Sequence, residues 1–250
     1  ELIDKIGLDT YDEFCIKWLE YGERKARLAI TELPDGEYHF EDFLDDDGAG
    51  NKNLLIKTRI TIKGDSITFD FTGTCRQVSG PYNCVPCALK ATVYYSMMSI
   101  LDNTIPANSG FFESINIIAE PGSLVWATEP APTGDRETTA QRIADVIFGA
   151  FAKMDPTRVV AAGNGAMSFF SFSGTDARSG QPYIYVETIG GGSGARYNKD
   201  GLDAVHVHMT NTSNLPIEAL EMEFPLLIVH KYGLIENSGG AGEYRGGLGI

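Results

Sequence analysis

The stretch 54–72 constrains the fold more than any other part of this sequence. Ile56, Ile60 and Ile62 alternate with Lys57, Arg59, Thr61 and Lys63, the period of an extended strand with one apolar face. Gly64-Asp65 supplies a two-residue hairpin turn. The register that follows sets Ile62 opposite Ile67 and Ile60 opposite Phe69, so both strands bury the same face. A slip of one residue would turn that set to water, so the pairing is strongly specified.

Three helices are expected. Over 137–152, Ala140, Ile143, Ala144, Ile147, Phe148 and Phe151 follow the i, i+3, i+4, i+7 spacing. Over 86–102, Pro86 opens the helix, and Leu89, Val93, Tyr95, Met97, Ile100 and Leu101 lie nearly all round it, so it is buried. Over 10–31, Thr10 and Glu13 make a capping box, Phe14, Trp18 and Tyr21 an apolar stripe, and Arg24, Lys25 and Arg27 favour the C-terminal dipole. Pro34-Asp35-Gly36 then turns the chain. Further strands are expected over 114–119, 158–163, 166–173, 182–189, 204–210, 217–224 and 226–235. Runs of strands with few helices predict an α+β fold of mixed, largely antiparallel sheets and a few packed helices. The chain divides into 1–110, with the first helix, the hairpin and the buried helix, and a β-rich 111–250, both parts of one unit.

Charge narrows the function. The 250 residues hold 34 acids and 20 bases, a formal net charge of −14. That balance argues against nucleic acid or an anionic membrane as the main partner, and no apolar run approaches the roughly 20 residues of a membrane span. Residues 1–50 alone hold 15 acids and 5 bases. Their densest run, 41–47, reads as a solvated loop without the spacing of a Ca²⁺ loop. Four cysteines are too few and too clustered for a disulfide scaffold, which points to a reduced, cytoplasmic setting. Cys84-Val85-Pro86-Cys87 has the form of a redox dithiol at a helix start but lacks a βαβ context, and Cys75 adds only a third metal ligand, so packed cysteines are expected. A start at Glu1 and a stop just after Gly246-Gly247-Leu248-Gly249 read as the ends of a fragment of a larger multidomain subunit.

Three segments carry candidate chemistry. On a strand, His206 and His208 share one face, with Thr210 continuing it and Asn211 just beyond. They either line a site or face solvent; a metal would need a third ligand. Gly190-Gly191-Gly192-Ser193-Gly194-Ala195 follows a strand, but no helix follows it, so it reads as a glycine loop whose amides line a cleft rather than a dinucleotide fingerprint. No G-x-x-x-x-G-K-[ST] phosphate loop occurs. The helix start Arg136-Glu137-Thr138-Thr139-Ala140-Gln141-Arg142 offers free amides and two cations to a carboxylate or an acyl phosphate. The expected constellation is His206 and His208 as catalytic groups, with Arg136, Thr139, Arg142, Gly190, Gly191, Gly192 and Asn211 around the substrate and no metal ligand in the chain.

As a set and in order, several runs resemble the hydantoinase B family. They include Asp70-Phe71-Thr72-Gly73-Thr74, Gly80-Pro81-Tyr82-Asn83-Cys84, Thr139-Ala140-Gln141-Arg142-Ile143, Ala162-Gly163-Asn164-Gly165 and Glu187-Thr188-Ile189-Gly190-Gly191-Gly192. The longest is 203–212, Asp203 through Thr212, and Gly239-Gly240-Ala241-Gly242-Glu243-Tyr244-Arg245-Gly246-Gly247 closes the series. The resemblance implies the B part of an ATP-dependent hydantoinase, oxoprolinase or related carboxylase. An A-type subunit or domain would bind ATP and phosphorylate the carbonyl oxygen, and the B part would complete the opening of a small cyclic amide. It further implies a likeness to oligomeric complexes and a divalent metal whose ligands precede Glu1, with neither metal nor ATP held by this stretch. A ketone carboxylase subunit and a non-catalytic scaffold docking the ATP-binding subunit are the alternatives. An ATP-independent β/α-barrel amidohydrolase is not, for lack of strand–helix alternation.

Overall fold

Two helices, α1 (Leu2–Ile6) and α2 (Leu8–Thr31), lead into the long strands β1 (Gly36–Asp46) and β2 (Lys52–Lys63) and the short β3 (Ser66–Asp70). The computed structural model describes residues 2–224 and 233–250. The hairpin forms in the register that the alternation demands: Ile62 pairs with Ile67 and Ile60 with Phe69. All four side chains are buried, as is Ile56. Each contributes about 2 kcal/mol of transfer free energy. Gly64 turns the chain with φ +60°, which costs a glycine nothing.

The acidic run 41–47 is not a solvated loop. It is mostly the second half of β1, whose acids alternate with inward-facing side chains. Glu37, Glu41 and Asp45 point out, while Tyr38, Phe40, Asp42 and Leu44 turn to the core side. β1 is an edge strand, and outward charge there protects the open edge from pairing with another chain. Asp47, just beyond it, is buried and accepts from the backbone of Gly80 (3.0 Å) and Ala49 (2.9 Å) and from Asn51 through both backbone and side chain.

After β3 the chain crosses over through α3 (Pro86–Ile100) and α4 (Ser109–Phe112) and returns as β4 (Ile115–Ile118), parallel to β3. The sheet order is β1-β2-β3-β4, so the line between 1–110 and 111–250 runs through one sheet. Helix α5 (Arg136–Ala152) packs across β1 and β2 on one side and α3 on the other. Phe151 of α5 meets Phe69 edge-on, centroids 6.1 Å apart, at the centre of the core.

α2 begins after Gly7 (φ +83°), not at a Thr10 cap, and Glu13 pairs with Lys17 (2.6 Å) instead of closing a box. Its buried face is Gly22, Ala26 and Ile30. Phe14, Trp18 and Tyr21 lie outside, ring stacked on ring. Small residues win the inner face because α4 crosses at backbone distance: a side chain on Gly110 would collide with the Leu19 carbonyl.

The second half holds less regular structure. β5 (Phe169–Thr175) and β6 (Pro182–Thr188) form an antiparallel ribbon. The expected strand over 158–163 is absent; a 3-10 turn at Pro156–Arg158 is followed by extended chain whose Ala161 N–H donates to Ala195 O (2.9 Å). Residues 217–224 are helical, not extended: α6 (Ile217–Glu223) follows Pro216, with Leu220 buried, and Phe224 packs on Phe172, Tyr183 and Tyr185. The strand expected over 226–235 lies largely outside the described residues. The whole is α+β, with mixed, largely antiparallel sheets and a few packed helices. Among the described residues no helix is long and apolar enough to cross a membrane.

Candidate functional site

The strand expected over 204–210 does not form. Ala204 (φ +55°) and His208 (φ +51°) adopt left-handed backbone, which curls the segment into turns and breaks the alternation on which the shared face of His206 and His208 rested. The segment is fixed from α5 instead. Gln141 Nε2 donates to Thr210 Oγ1 (2.6 Å), and Gln141 Oε1 accepts from Met209 N–H (3.4 Å). One turn on, Asp145 Oδ1 meets His208 Nε2 at 2.9 Å, while His208 Nδ1 lies 3.3 Å from Tyr95 Oη on α3.

The Asp145 carboxyl and the Tyr95 hydroxyl thus each take one ring nitrogen of His208, Nε2 and Nδ1 respectively. Tyr95 keeps its proton, since burial first and the Asp145 charge after it push its hydroxyl above the ordinary range. Arg142 completes the chain of polar contacts: Nη1 donates to Asp42 Oδ2 on β1 (2.8 Å) and lies 3.6 Å from Asp145 Oδ2. Both nitrogens of His208 are therefore occupied by the protein.

His206 differs. Its Nε2 is shielded from bulk water and has no hydrogen-bond partner. It lines a cavity of about 390 Å³ together with His208, Tyr95, Thr210 and the Ser193-Gly194 end of the glycine loop. A second cavity of about 510 Å³, walled by Phe40, Phe148, Tyr197 and Tyr244, is lined by Asp145. The Asp145–His208 pair thus stands between an apolar, aromatic chamber and one of mixed lining.

The remaining expected residues separate. Gly190, Gly191 and Gly192 line a third cavity, of about 350 Å³, against the 246–249 glycine run. Their loop is glycine-rich because backbone crosses backbone there: a side chain on Gly194 would collide with Ala161 O, and one on Gly190 with Ala204 O. Arg136 is exposed, pairs with Glu137 (3.0 Å) and lines none of the three cavities. Thr139 is buried, and its hydroxyl donates to Tyr82 O. Asn211 is exposed and lines none of them either. Cys84 is buried, and desolvation pushes its thiol up to about 12, the opposite of an activated dithiol. Sequence reasoning missed Asp145 and Tyr95. The available signal was polar Gln141 and Asp145, four apart, on a helix whose buried positions beyond Thr139 are otherwise apolar.

The family model for hydantoinase B/oxoprolinase matches residues 1–250, the entire chain. The chain belongs to the hydantoinase B/oxoprolinase family. Within the family, a putative B-type subunit of a D-/L-hydantoinase from Pseudomonas sp. (strain NS671) is 38% identical over 261 residues, which cover all of this chain and 43% of that protein. The crystal structure of an ATP-dependent caprolactamase from Pseudomonas jessenii superposes with a TM-score of 0.86 at 28% identity, over 99% of this chain and 43% of that one. An acetone carboxylase structure superposes with a TM-score of 0.85 over 99% of this chain and 35% of its own; at 19% identity it speaks for the fold alone. The chain spans less than half the length of these relatives. Among the described residues no group of three His, Cys, Asp or Glu could hold a metal ion, and His208 and Asp145 bond each other.

Proposed function

We propose that the chain is part of the B-type subunit of an ATP-dependent cyclic-amide hydrolase, working with an A-type partner that binds ATP. One observation carries this: the names attached to its family and relatives specify hydantoins, 5-oxoproline and caprolactam, three different cyclic amides. A cyclic amide is a poor electrophile because nitrogen donates into the carbonyl. Phosphorylating the carbonyl oxygen removes that donation and leaves a centre that water can attack.

The site suits the later half of such a reaction. The aromatic chamber offers an apolar wall for a compact ring, and His206 is the imidazole left available to a ligand. His208 is a positioning residue, held by Asp145 and Tyr95 so that the 204–210 segment keeps its course. The same reading puts the enzyme in the cytoplasm, the reduced compartment expected from its cysteines, and makes it a member of an oligomeric complex.

The test is product analysis with the complete protein and its A-type partner. Ring-opened acid with stoichiometric phosphate release, from hydantoin, 5-oxoproline or caprolactam, supports the reading. Bicarbonate incorporation into a ketone without ring opening overturns it in favour of a carboxylase. Ring opening that needs the partner but not this subunit overturns it in favour of a scaffold.

A further inference from the structure

Helix α2 is 24 residues long, yet only Gly22, Ala26 and Ile30 on it are buried. Everything before Gly22 stands clear of the core. This part carries a stripe of rings: Phe14, Trp18 and Tyr21 are 58%, 45% and 36% exposed. Phe14 stacks on Trp18 with centroids 6.2 Å apart, and Trp18 on Tyr21 at 5.5 Å. The three rings make one surface about two helical turns long. α4 meets this part of α2 at its backbone, Asn108 Nδ2 donating to Trp18 O (2.9 Å) and Gly110 lying against Leu19 O. A continuous exposed aromatic surface marks a contact with another molecule.

A row of charges runs beside the stripe. Glu13, Lys17, Glu20 and Arg24 recur at the spacing of one helical face. Their order complements itself in reverse: laid antiparallel on a second such row, Glu13 meets Arg24 and Lys17 meets Glu20, opposite signs at every position. Laid parallel, each charge meets its own kind. Glu20 and Arg24 have the spacing to pair within the helix, but neither forms an ion pair among the described residues, and Arg24 lies over the Tyr21 ring, 5.8 Å from its centroid. The Glu13–Lys17 pair is exposed at both ends and free to exchange partners. Over 1–31 the acids outnumber the bases seven to five, which disfavours an anionic membrane as the occupant.

We propose that two copies of this chain pair through α2, antiparallel across a two-fold axis close to Trp18, each aromatic stripe covering the other. A two-fold contact uses the same patch on both partners, so the patch must complement itself. Here both components do: apolar ring meets apolar ring, and the charge row meets its own reverse. The rings supply the burial, and Trp, Tyr and Arg are the residues that carry most of an interface's energy. The charges fix direction and register. The inference concerns assembly and does not rest on the reaction proposed above.

The test is sedimentation equilibrium of the complete protein, free of the A-type partner and of nucleotide. A monomer–dimer equilibrium is expected, weakened at least about tenfold by Trp18→Glu. Trp18 lies outside the core, so that variant should keep the wild-type melting temperature. Glu13→Arg and Arg24→Glu should each weaken the dimer, and the two together should restore it. Within one helix the exchange sets like charges beside Lys17 and Glu20, so recovery can come only from across the axis. Lys63→Glu, on an exposed strand end of the sheet, should change nothing. With Trp126→Phe, Trp18 is left as the one tryptophan of this chain, and acrylamide should quench it less as the dimer forms. A monomer at every concentration up to about 100 µM, a dimer indifferent to Trp18→Glu, or a charge exchange no better than its single variants overturns the pairing. So does a Trp18 already shielded in the monomer, which would place another part of the same subunit on the stripe. Shielding that appears only on adding the A-type partner, or only with anionic vesicles, overturns it in favour of that occupant.

Discussion

His208 Nε2 lies 2.9 Å from Asp145 Oδ1, and neither side chain is more than 3% exposed. The bond joins helix α5 to a segment 63 residues further along and, with Gln141, fastens the second half of the chain to the first. Removing one partner of a buried pair leaves the other uncompensated. His208→Ala is therefore expected to cost about 3 kcal/mol, and Tyr95→Phe about 1 kcal/mol for one neutral hydrogen bond. Urea unfolding of both single variants and the double variant measures this. A coupling between His208 and Tyr95 indistinguishable from zero in that cycle would contradict the geometry.

The cysteines should react in the order of their surroundings. Cys87 is exposed, whereas Cys84 is buried with its thiol pushed up to about 12. At pH 8 Cys84 is therefore held as the thiol, and the thiolate is the reactive form. Brief iodoacetamide treatment followed by peptide mass spectrometry should find Cys87 alkylated and Cys84 intact, with both labelled after denaturation. Equal labelling in the folded protein would mean that the start of α3 is open.

Asp47 gives the stability a dependence on acid. The Asn51 side chain foremost, and the backbone N–H groups of Ala49, Asn51 and Gly80, hold its carboxyl down at about 2. A depressed folded value contributes stability above the ordinary unfolded value near 3.9. That contribution is lost as pH falls through about 2. Between pH 4 and pH 2 the wild type should lose unfolding free energy more steeply than Asp47→Asn. Parallel curves would show that the carboxylate is not what ties 47–51 to Gly80.

The glycine loop separates a packing role from a binding one. Gly194→Ala should lower the melting temperature, since the new methyl group runs into Ala161 O and neither backbone can yield without breaking the Ala161–Ala195 bond. Arg136→Gln, at an exposed side chain paired with its neighbour Glu137, should change unfolding free energy by no more than about 0.5 kcal/mol. A stable Gly194→Ala variant would return the loop to the role of a flexible ligand cradle.

The parts that were legible in the sequence are those where local pattern and burial coincide. Ile60, Ile62, Ile67 and Phe69 gave their register because alternation and a two-residue turn left no competing pairing. Helices α3 and α5 were legible for the same reason at the helical period. β1 was hidden because its outward positions carry Glu37, Glu41 and Asp45, so charge masked the inward series Tyr38, Phe40, Leu44. The reverse error occurred at 204–210, where Val205, Val207 and Met209 imitate a strand but two residues with positive φ bend it. His206 and His208 were singled out by an alternation that the fold does not use. Asp145 and Tyr95 were missed because their partner lies more than 60 positions away, a distance at which no spacing rule operates.

The parallel pairing of β3 with β4 also orders the steps of folding. β1, β2 and β3 are neighbours in sequence and can zip together through short turns, whereas β4 finds its place only after the whole of 71–114, with α3 and α4, has been drawn across. Contacts of such high sequence separation require their loop to close before they repay the entropy, and they form late. Amides of Ile60 and Ile62 should thus gain protection from deuterium in the first phase of refolding, and those of β4 in a later one. Until then the outer edge of β3 stands open to the pairing that makes slow-folding sheets prone to aggregate.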